Sequence, residues 1–586
     1  MLRQGVSCLS ISTGAVYDTE WGPDKWNPDY RTNRRVVVAT GTSPCKAECP
    51  AHIGIQGYIK LASQGRYTEA LELIKHENPF PAVCGRICSR QCESACTRGD
   101  VDEPVAIDDI KKFIAEQDFN KDNRYVPEVK HHYGNKIAII GGGPSGLSCA
   151  FYLALDGYKV TVFEKQKALG GMLTFGIPAF RLEKDVVNAE INILKELGVE
   201  FKTGVEVGKD VSLNDLRGQG FEAFYLAIGA QIGRKLGIKG ENAAGVINGV
   251  DFLRKANFNE EFKLEGPTLV IGGGNVAIDV ARSARRISVL QVNMYCLESR
   301  KEMPALEEEI DETLSEGIVI HNSWGPDRIL TENGRVTGVE FKKCISVYEN
   351  GKFNPNFDEN EKRIVKADNI LLSVGQAIEW GNLLVDSKIA LNPNKTIKAD
   401  PDTYQTDEPD VFAGGDVLTG PKFAIDAIAM GKKGAISIHR YVHPGQSLTI
   451  GRTKRDYRPL DKANLVLEGY DRLPRQKAIQ RDTKIFKESF VDSRGTFTEE
   501  QVKKETERCL GCGATVVDEY LCVGCGVCTT KCKFDAISLV RKYDAEGVEL
   551  RKIKPAVIRH AIKRKVRIAV KKPLKFIESI LSGERN

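Results

Sequence analysis

Residues 136–165 read KIAIIGGGPSGLSCAFYLALDGYKVTVFEK: an apolar strand, a glycine turn, a helix and a second strand. In the turn, Gly141 permits the tight bend, Gly143 lets the backbone approach a pyrophosphate, and Gly146 allows the helix to pack closely. Glu164 ends the second strand, where an acid accepts hydrogen bonds from a ribose. Because strand, turn, helix and acid are in register, the stretch predicts a dinucleotide-binding α/β unit rather than a plain structural turn.

A second unit with the same order of elements begins at Thr268. The stretch TLVIGGGNVAIDVARSARR places Gly272, Gly274 and Ala277 between another apolar strand and another helix. Two such units in one chain predict two dinucleotide domains.

The length and composition exclude several classes of protein. A chain of 586 residues has room for roughly three to five domains, and its 41% apolar and 28% charged residues exclude wholesale disorder and a membrane bundle. No stretch approaches the roughly 18 uncharged apolar residues of a spanning helix. Residues 1–16 lack the pattern of a secretion signal. The sequence therefore predicts a cytoplasmic protein without a transmembrane segment, and nucleic acid is not an expected partner.

Sixteen cysteines are the unusual feature of the composition, and twelve of them lie in two terminal clusters. In a reducing cytosol, clustered thiols are metal ligands rather than disulfides. The four others, Cys8, Cys149, Cys296 and Cys344, are expected to be small packing residues. The predicted metal ligands are Cys45, Cys49, Cys84, Cys88, Cys92, Cys96, Cys509, Cys512, Cys522, Cys525, Cys528 and Cys532.

The run CVGCGVCTTKC, from Cys522 to Cys532, has the C-x2-C-x2-C-x3-C spacing of bacterial ferredoxins and predicts a [4Fe-4S] cluster. Zinc is the alternative, although zinc sites pair two CxxC units across a longer gap. The proline that usually follows the fourth cysteine is replaced by Lys533. In two-cluster ferredoxins the fourth cysteine serves the other cluster, so the assignment of Cys532 stays open.

Three further stretches carry a resemblance to a known family: LGGMLTFGIPAFRL (169–182), YLAIGA (225–230) and DVFAGGDVLTGPKFAIDAIAMGKKGA (410–435). From about Cys45 to Tyr441 the chain resembles the FAD-dependent pyridine nucleotide oxidoreductases of the glutamate synthase small-subunit family. That family includes the amino-terminal half of dihydropyrimidine dehydrogenase and the large subunit of ferredoxin-dependent bifurcating transhydrogenase.

The resemblance implies a multidomain fold. An N-terminal α-helical iron–sulfur domain would precede two Rossmann-like α/β dinucleotide-binding domains, with the NAD(P)H domain inserted in the FAD domain, and a C-terminal α+β ferredoxin-like module would follow. The expected segments are an N-terminal arm (1–36), the helical [4Fe-4S] domain (37–130), the FAD domain in two parts (131–255 and 381–450), the NAD(P)H domain (256–380), a linker (451–497), the ferredoxin-like module (498–545) and a basic tail (546–586).

The family pattern also implies where the two nucleotides bind. Besides the first glycine turn and Glu164, FAD would contact Gly171, Asp416 and Ala424, and Asp416 could otherwise be a turn residue. NAD(P)H would bind the second glycine turn. No catalytic side chain is expected, because hydride passes directly from nicotinamide to flavin.

The residues that select NADH or NADPH are expected at the end of the strand that follows the second turn, in the stretch VNMYCLESRKEMPA (292–305). NADPH-using relatives tend to carry two arginines shortly before Met-Pro, where this chain has Leu297 and Glu298. A carboxylate binds a ribose diol and repels a 2′-phosphate, so Glu298 favours NADH, with NADPH as the alternative. Two alternatives stay open: Arg300 could serve a phosphate, and Glu298 could be a solvated strand end.

The N-terminal cysteines match the family's two-cluster helical domain with one departure. The leading RCLxCG pair of that domain occurs here at the other end of the chain, after the stretch TEEQVKKETE. The family pattern therefore implies one cluster that both ends of the chain share. The implied ligand sets of three [4Fe-4S] clusters are Cys45, Cys96, Cys509 and Cys512; Cys49, Cys84, Cys88 and Cys92; and Cys522, Cys525, Cys528 and Cys532.

Two points of this assignment are hypotheses. In relatives the fourth ligand of the second set can be a Gln or Glu on the following helix; this chain has Lys111 there, so Cys84 is the substitute. The rival to the shared cluster is a self-contained ferredoxin domain that includes Cys509 and Cys512. Six cysteines in that region cannot fill eight ligand positions.

The sequence as a whole predicts an NADH-dependent FAD iron–sulfur oxidoreductase that exchanges electrons between NAD(H) and a ferredoxin or partner subunit. Alternatives are a glutamate synthase small subunit, a bifurcating transhydrogenase or hydrogenase subunit, the reductant of dissimilatory sulfite reductase, and a redox-sensing scaffold. Eleven Lys or Arg lie between Arg551 and Lys575 with no acid among them. Pro555 to Val570 is predicted to be a helix whose basic side binds a partner in a hetero-oligomeric complex, and a solvated tail is the alternative.

Overall fold

A computed structural model of the protein describes residues 42–119, 121, 124–129, 131–258, 264–288, 291–450, 452, 457, 460, 462, 470–479, 489–492, 494–513 and 553–581. The chain divides into two units, Thr42–Cys512 and Met1–Gly41 with Gly513–Asn586. The predicted N-terminal arm, Cys8 and the ferredoxin run Cys522–Cys532 lie outside the described residues.

The first unit begins with short helices, as the sequence predicts. The spacing of Ala70, Leu71 and Ile74 buries one face of the third helix, and Pro81 begins the fourth, where a missing N–H costs nothing. Cysteines lie on or directly after these helices, so the helices fix their positions. The helices described here are α1 (Pro44–Glu48), α2 (Ile55–Ser63), α3 (Tyr67–Lys75), α4 (Pro81–Ile87), α5 (Gln91–Ser94) and α6 (Ile107–Phe119).

A parallel five-stranded sheet follows, and helices or loops bury both of its faces. Ile137 and Ile139 pack on one face with the core of the helical region, whereas Ala138 and Ile140 pack on the other. Strands buried on both faces are apolar throughout, which is why the sequence predicts the first strand clearly. Its strands are β1 (Lys136–Ile140), β2 (Lys159–Glu164), β3 (Glu200–Thr203), β4 (Phe221–Leu226) and the late strand Val411–Ala413, in the order late strand–β4–β1–β2–β3.

The helices of this part are α7 (Pro144–Leu155), α8 (Met172–Phe175), α9 (Lys184–Glu196) and α10 (Leu213–Gly218), with two later helices at Asp416–Thr419 and Ala424–Val442. The long last helix packs against α7 and the sheet through Ile425, Ile428 and Ile438. The sheet is therefore built from residues on both sides of a long intervening segment.

That segment, after the short strand β5 (Ile232–Gly233), forms a second parallel sheet. Its elements are β6 (Val246–Asn248), α11 (Gly249–Asn257), β7 (Thr268–Ile271), α12 (Asn275–Ile287), β8 (Val292–Cys296), α13 (Glu307–Ser315), β9 (Val319–Asn322) and a closing strand Asn369–Leu372. The strand Val246–Asn248 pairs in parallel with the closing strand. The second sheet thus begins before residue 256, where the sequence suggested its boundary, because this three-residue strand has no periodic signal of its own.

A three-stranded antiparallel sheet covers one face of the second sheet. Its strands are β10 (Trp324–Glu332), β11 (Arg335–Glu349) and β12 (Lys352–Lys366), and the closing strand is β13 (Asn369–Leu372). Leu269 and Ile271 of β7 pack against Val339 and Phe341 of β11. The strand β14 (Gln376–Ala377) then pairs with β5, so the two segments that connect the sheets run side by side. The late strand of the first sheet is β15, and the two later helices are α14 (Asp416–Thr419) and α15 (Ala424–Val442).

The last helix of the first unit, α16 (Glu499–Glu507), packs on the N-terminal helices. Thr498 and Gln501 form a reciprocal capping box at its start. Val502 and the preceding Phe497 join the core of the helical region. The C-terminal end of the first unit therefore packs against the N-terminal helices of the same unit.

A buried network of ion pairs holds α16 against the N-terminal region. The Arg508 side chain is fully buried and donates five hydrogen bonds, to the carboxylates of Glu505 and Asp102 and to the carbonyls of Leu473, Pro104 and Glu103. All five N–H groups of a guanidinium are thus satisfied. Glu505 in turn accepts from two backbone amides, at 2.8 and 2.7 Å.

The second unit contributes the helix α17 (Ile553–Leu581). It confirms the predicted helix over residues 555–570 and extends it at both ends. Its apolar side chains Val557, Ile558, Ile562 and Val566 are exposed. None of the described helices has both the length and the apolar character to cross a membrane.

We expect Arg508→Met to loosen α16 selectively. Removal of one partner from a buried ion pair costs about 3 to 5 kcal/mol, because Glu505 keeps its charge without a paired cation. Backbone amides of Glu499–Glu507 should therefore exchange hydrogen roughly a hundredfold faster or more, as measured by hydrogen–deuterium exchange. Lys504→Met, which removes an exposed pair with Glu500, is the matched control. Equal exchange in the two variants would contradict the role of Arg508.

Candidate functional site

The first glycine turn has the geometry that its sequence predicts. Gly141 has a φ of +112°, and a Cβ there would lie 2.4 Å from the carbonyl oxygen of Ala227. A Cβ on Gly146 would lie 2.0 Å from the oxygen of Gly141. No other residue fits these two positions, since real Cβ contacts are never that short. Gly143 begins α7 as its N-cap, so the backbone amides of the helix start are directed to the turn.

Glu164 lies beside this turn at the end of β2. One carboxylate oxygen accepts from the amide of Gly142 and the other from the amide of Gln166, both at 2.8 Å. Burial raises the pKa of Glu164. Each oxygen has a second lone pair, so the residue can still accept hydrogen bonds from a ribose.

Gly171 and Asp416 approach the same turn from other parts of the chain. Gly171 has a φ of +54°, and its Cβ position lies 2.9 Å from the Cα of Gly143, so two backbones meet without side chains between them. Asp416 accepts from the amide of Lys422 at 3.2 Å, and burial raises its pKa to about 6. The helix α15 begins at Ala424, as the sequence implies.

The second turn tolerates an alanine where the first needs a glycine. Gly272 has a φ of +141°, with its Cβ position 2.3 Å from the oxygen of Ser373, whereas Ala277 is fully buried and its Cβ lies 3.3 Å from that position. This turn is therefore slightly wider at its third residue. Gly274 begins α12 as its N-cap.

Glu298 lies over the second turn, where the sequence predicts the nucleotide-selecting residue. Its carboxylate oxygen is 2.6 Å from the position that a Cβ on Gly273 would occupy, and partial burial raises its pKa. Arg300 turns to α13, where it pairs with Glu307 at 2.6 Å and Asp311 at 3.2 Å. The arginine that could serve a 2′-phosphate is thus held by two carboxylates.

One cavity of about 640 Å³ connects the two turns. It lies between the first and second sheets, and its size is ordinary for a ligand site. Its walls include the first turn at Gly143, the second at Gly274, and Glu164, Gly171, Asp416 and Ala424. Predicted residues of both nucleotide sites therefore line a single space. The other turn residues, Gly141, Gly146, Gly272 and Ala277, do not line it, and Glu298 lies beside Gly273 of the second turn.

The cavity also has a charged wall to which the sequence analysis gave no role. Arg181 donates to both oxygens of Asp279 at 2.7 Å and pairs with Glu309. Arg181 and Asp279 both line the cavity. Each is a lone charge inside an otherwise apolar stretch, FRL and VAID, and that pattern is the signal that could have identified them.

The described cysteines all carry free thiols, and eight of them form two groups. In the first group, burial raises the pKa of Cys45 to about 12 and that of Cys509 to about 11, and neighbouring thiols of the group add to the effect. A thiolate at such a site needs a bound cation. The members that line one small cavity are Cys45, Cys96, Cys509 and Cys512.

The second group lies deeper in the helical region. Cys92 has Cys49 and Cys88 as thiol neighbours, and Cys84 lies beside Cys88. Burial raises the pKa of Cys88 to about 11. The second group therefore comprises Cys49, Cys84, Cys88 and Cys92, with three thiols mutually close and Cys84 at its side.

The donor sets fit iron–sulfur clusters better than single ions. Among the described residues no three Cys, His, Asp or Glu side chains are close enough to hold one metal ion. A four-iron cluster binds thiolates at four separate irons, so it needs ligands that are farther apart. The two groups, each of four buried or half-buried free thiols, supply the four sulfur ligands that such a cluster needs.

Two residues connect the groups with the large cavity. Ile87 lines that cavity and is followed directly by Cys88 of the second group. Tyr58 is buried within electrostatic range of both Cys92 and Cys45, one from each group. The cavity, the second group and the first group are thus arranged in succession.

The other described cysteines are packing residues, as predicted. Cys149 on α7, Cys296 at the end of β8 and Cys344 on β11 are all buried.

Comparisons with known protein families match separate parts of the chain. Residues 135–431 match the family described as pyridine nucleotide-disulphide oxidoreductase. Residues 32–123 match domain II of dihydropyrimidine dehydrogenase, a 4Fe-4S cluster domain. Residues 515–538, which contain the predicted ferredoxin run, match the 4Fe-4S binding domain.

Individual relatives are similar over most of the chain. The beta subunit of an NADP(+)-dependent formate dehydrogenase from Moorella thermoacetica is 34% identical, over 80% of this chain and 70% of the relative. The glutamate synthase [NADPH] small chain of Escherichia coli K12 is 33% identical, over 69% and 90%. The NAD-dependent dihydropyrimidine dehydrogenase subunit PreT of Salmonella typhimurium is 33% identical, over 68% and 91%.

Proposed function

Because the chain belongs to the pyridine nucleotide-disulphide oxidoreductase family, with the glutamate synthase small chain among its relatives, we propose that it takes electrons from NADH and delivers them to a partner subunit. The chain is an NAD(P)H-dependent FAD and iron–sulfur oxidoreductase. One observation carries the finer proposal: a single cavity is lined by both glycine turns and by Ile87, next to Cys88.

FAD at the first turn would accept hydride from NADH at the second, and [4Fe-4S] clusters at the cysteine groups would carry single electrons. The residues of the chain supply position and charge. Gly143 and Gly171 leave room for a pyrophosphate, and Glu164 and Asp416 supply carboxylates to hydroxyl groups. Arg181 lies between the two nucleotide sites and keeps Asp279 and Glu309 in place.

The order of the sites supports a direction of electron flow away from the cavity. The second cysteine group adjoins the cavity, and the first group follows beyond Tyr58. The ferredoxin run then begins at Cys522, ten residues after Cys512 in the sequence. We therefore propose three [4Fe-4S] clusters in the order second group, first group, C-terminal run.

The nucleotide preference rests on Glu298. Relatives' names include both NADP(H) and NAD, so they leave the choice open. The carboxylate of Glu298 lies over the second turn, and Arg300 is engaged by Glu307 and Asp311. A negative charge with no free arginine beside it repels a 2′-phosphate.

NADH should bleach the flavin absorbance of the anaerobically purified protein with a kcat/KM roughly tenfold to a hundredfold above that of NADPH. Glu298→Arg should narrow this ratio, because it replaces the repelling charge with an attracting one. Glu332→Arg makes the same charge change at an exposed position, the last residue of β10, and it should leave the ratio unchanged. Equal or better use of NADPH by the wild type would contradict the assignment.

The shared cluster predicts a non-additive loss of iron. Three [4Fe-4S] clusters contain about twelve irons, and Cys45→Ala and Cys512→Ala should each remove about four. If both thiols bind one cluster, the double variant also loses about four irons, as measured by iron analysis of the full chain. Cys45→Ala with Cys522→Ala should lose about eight, and Cys344→Ala none. A loss of about eight irons from the Cys45 and Cys512 double variant would mean that the ends hold separate clusters.

The helix α17 supports a docking role in a hetero-oligomeric complex. Relatives are named as subunits of larger enzymes. Basic residues are spread over much of α17 up to Lys575, while Ile558, Ile562 and Val566 are exposed. A helix with that pattern fits an acidic protein surface, because charges give the attraction and the thin apolar face adds contact area.

A chain that ends after Leu550 should keep NADH-driven flavin reduction and lose its partner. The full chain, expressed in its own cells, should elute from size-exclusion chromatography at about 0.15 M salt as a larger complex. The shortened chain should elute without the partner. Lys563→Glu, Arg564→Glu and Lys565→Glu together should weaken the complex in the same way. An unchanged complex in both variants would show that α17 is a solvated tail.

A further inference from the structure

The helix α6 places a buried lysine among the thiols of the second cysteine group. Only 5% of the Lys111 side chain is exposed, and it lies within electrostatic range of all four thiols of this group. Its ammonium group pairs with Asp108, one turn earlier on the same helix. Lysine is almost never fully buried without a partner, so the site needs a specific electrostatic explanation.

Lys111 is a poor iron ligand. An ammonium group has three N–H donors and no lone pair. It stands where relatives can supply a Gln or Glu, so the chain has a cation in place of a donor atom. Arg90, 3.7 Å from Asp108, adds a second cation to the same carboxylate and extends to Glu308 of α13.

A cation at this position changes the reduction potential of an iron–sulfur cluster that the thiols bind. A thiolate-bound iron–sulfur cluster is negative and becomes more so when it accepts an electron, and its potential depends on nearby charge. Opposite charge stabilises the more negative form more strongly. The second group is buried, so solvent and salt screen this interaction little.

We propose that Lys111, which pairs with Asp108, is a fixed counter-charge for the iron–sulfur cluster of the second cysteine group and that it raises the reduction potential of this cluster. This inference rests on the proposed function. The charge of Lys111 therefore gives the cluster next to the cavity a higher affinity for an electron than this cluster would have without the lysine. Asp108 pairs with Lys111, and its own negative charge lowers the potential of the same cluster.

The test is a redox titration of the full, iron-loaded protein, followed by electron paramagnetic resonance at one pH. Lys111→Met removes the charge and nearly keeps the volume, so one of the three clusters should shift to a lower midpoint potential. Asp108→Asn removes the negative charge, so the same cluster should shift to a higher potential. Lys111→Arg should keep a potential near that of the wild type. Lys60→Met, at an exposed position on α2, should shift none.

Opposite shifts at one cluster, with full iron content, support the proposal, since a general loss of packing would move both variants in the same direction. Unchanged potentials in Lys111→Met, or shifts of equal sign in Lys111→Met and Asp108→Asn, would overturn it. If Lys111→Met fails to retain iron, Asp108→Asn decides by its sign: a shift to a higher potential supports the proposal, and a shift to a lower potential or no shift overturns it. A wild type without iron at the second group would overturn the proposed function as well, and iron analysis distinguishes that result.

Discussion

The buried guanidinium of Arg508 determines where the end of the first unit lies. The helix α16 buries little apolar surface, with Val502 beside the polar Glu505 and Thr506. Hydrophobic packing alone would hold such a helix weakly. Three hydrogen bonds from Arg508, to Asp102, Glu103 and Pro104, instead connect α16 to the segment that follows the N-terminal cysteines. The positions of Cys509 and Cys512 beside Cys45 and Cys96 depend on this contact, since Cys509 follows Arg508 directly and Cys512 comes three residues after it.

Local sequence signals predicted the elements whose pattern is complete within a short window. The glycine turns and the strands before them are of this kind, and the structure has them where expected. Long-range pairing was harder to predict. The strand Val246–Asn248 belongs to the second sheet only because Asn369–Leu372 pairs with it. Glu505 and Arg508 look like surface residues in sequence, and their burial follows from tertiary contacts alone.

The features of the candidate site divide in the same way, into those with a local sequence signal and those that depend on long-range contacts. The two glycine turns and their acids were predictable because each turn requires a particular residue at a particular spacing. That both turns line one cavity follows from the folding of the intervening segment, which no local pattern encodes. Arg181 is an example: its motif was recognised, but its partners Asp279 and Glu309 come from the second sheet. Its role could therefore be assigned only when the two sheets were seen together.

The first turn of α13 shows how the second sheet is held against the other parts of this unit. Consecutive residues on a helix point about 100° apart. Glu307, Glu308 and Glu309 therefore reach three different arginines, Arg300 beside the second nucleotide turn, Arg90 of the cysteine-rich region and Arg181 of the cavity.

These pairs are not equal in strength. Glu308 is 63% exposed, and an exposed pair contributes little because water screens it. Glu309 is 3% exposed, and the loss of either partner of a buried pair is costly. The second sheet is therefore fixed firmly at the cavity, where hydride transfer needs accurate geometry, and loosely at the cysteine-rich region. Any movement that admits or releases the nicotinamide nucleotide should accordingly break the contact of Glu308 before that of Glu309.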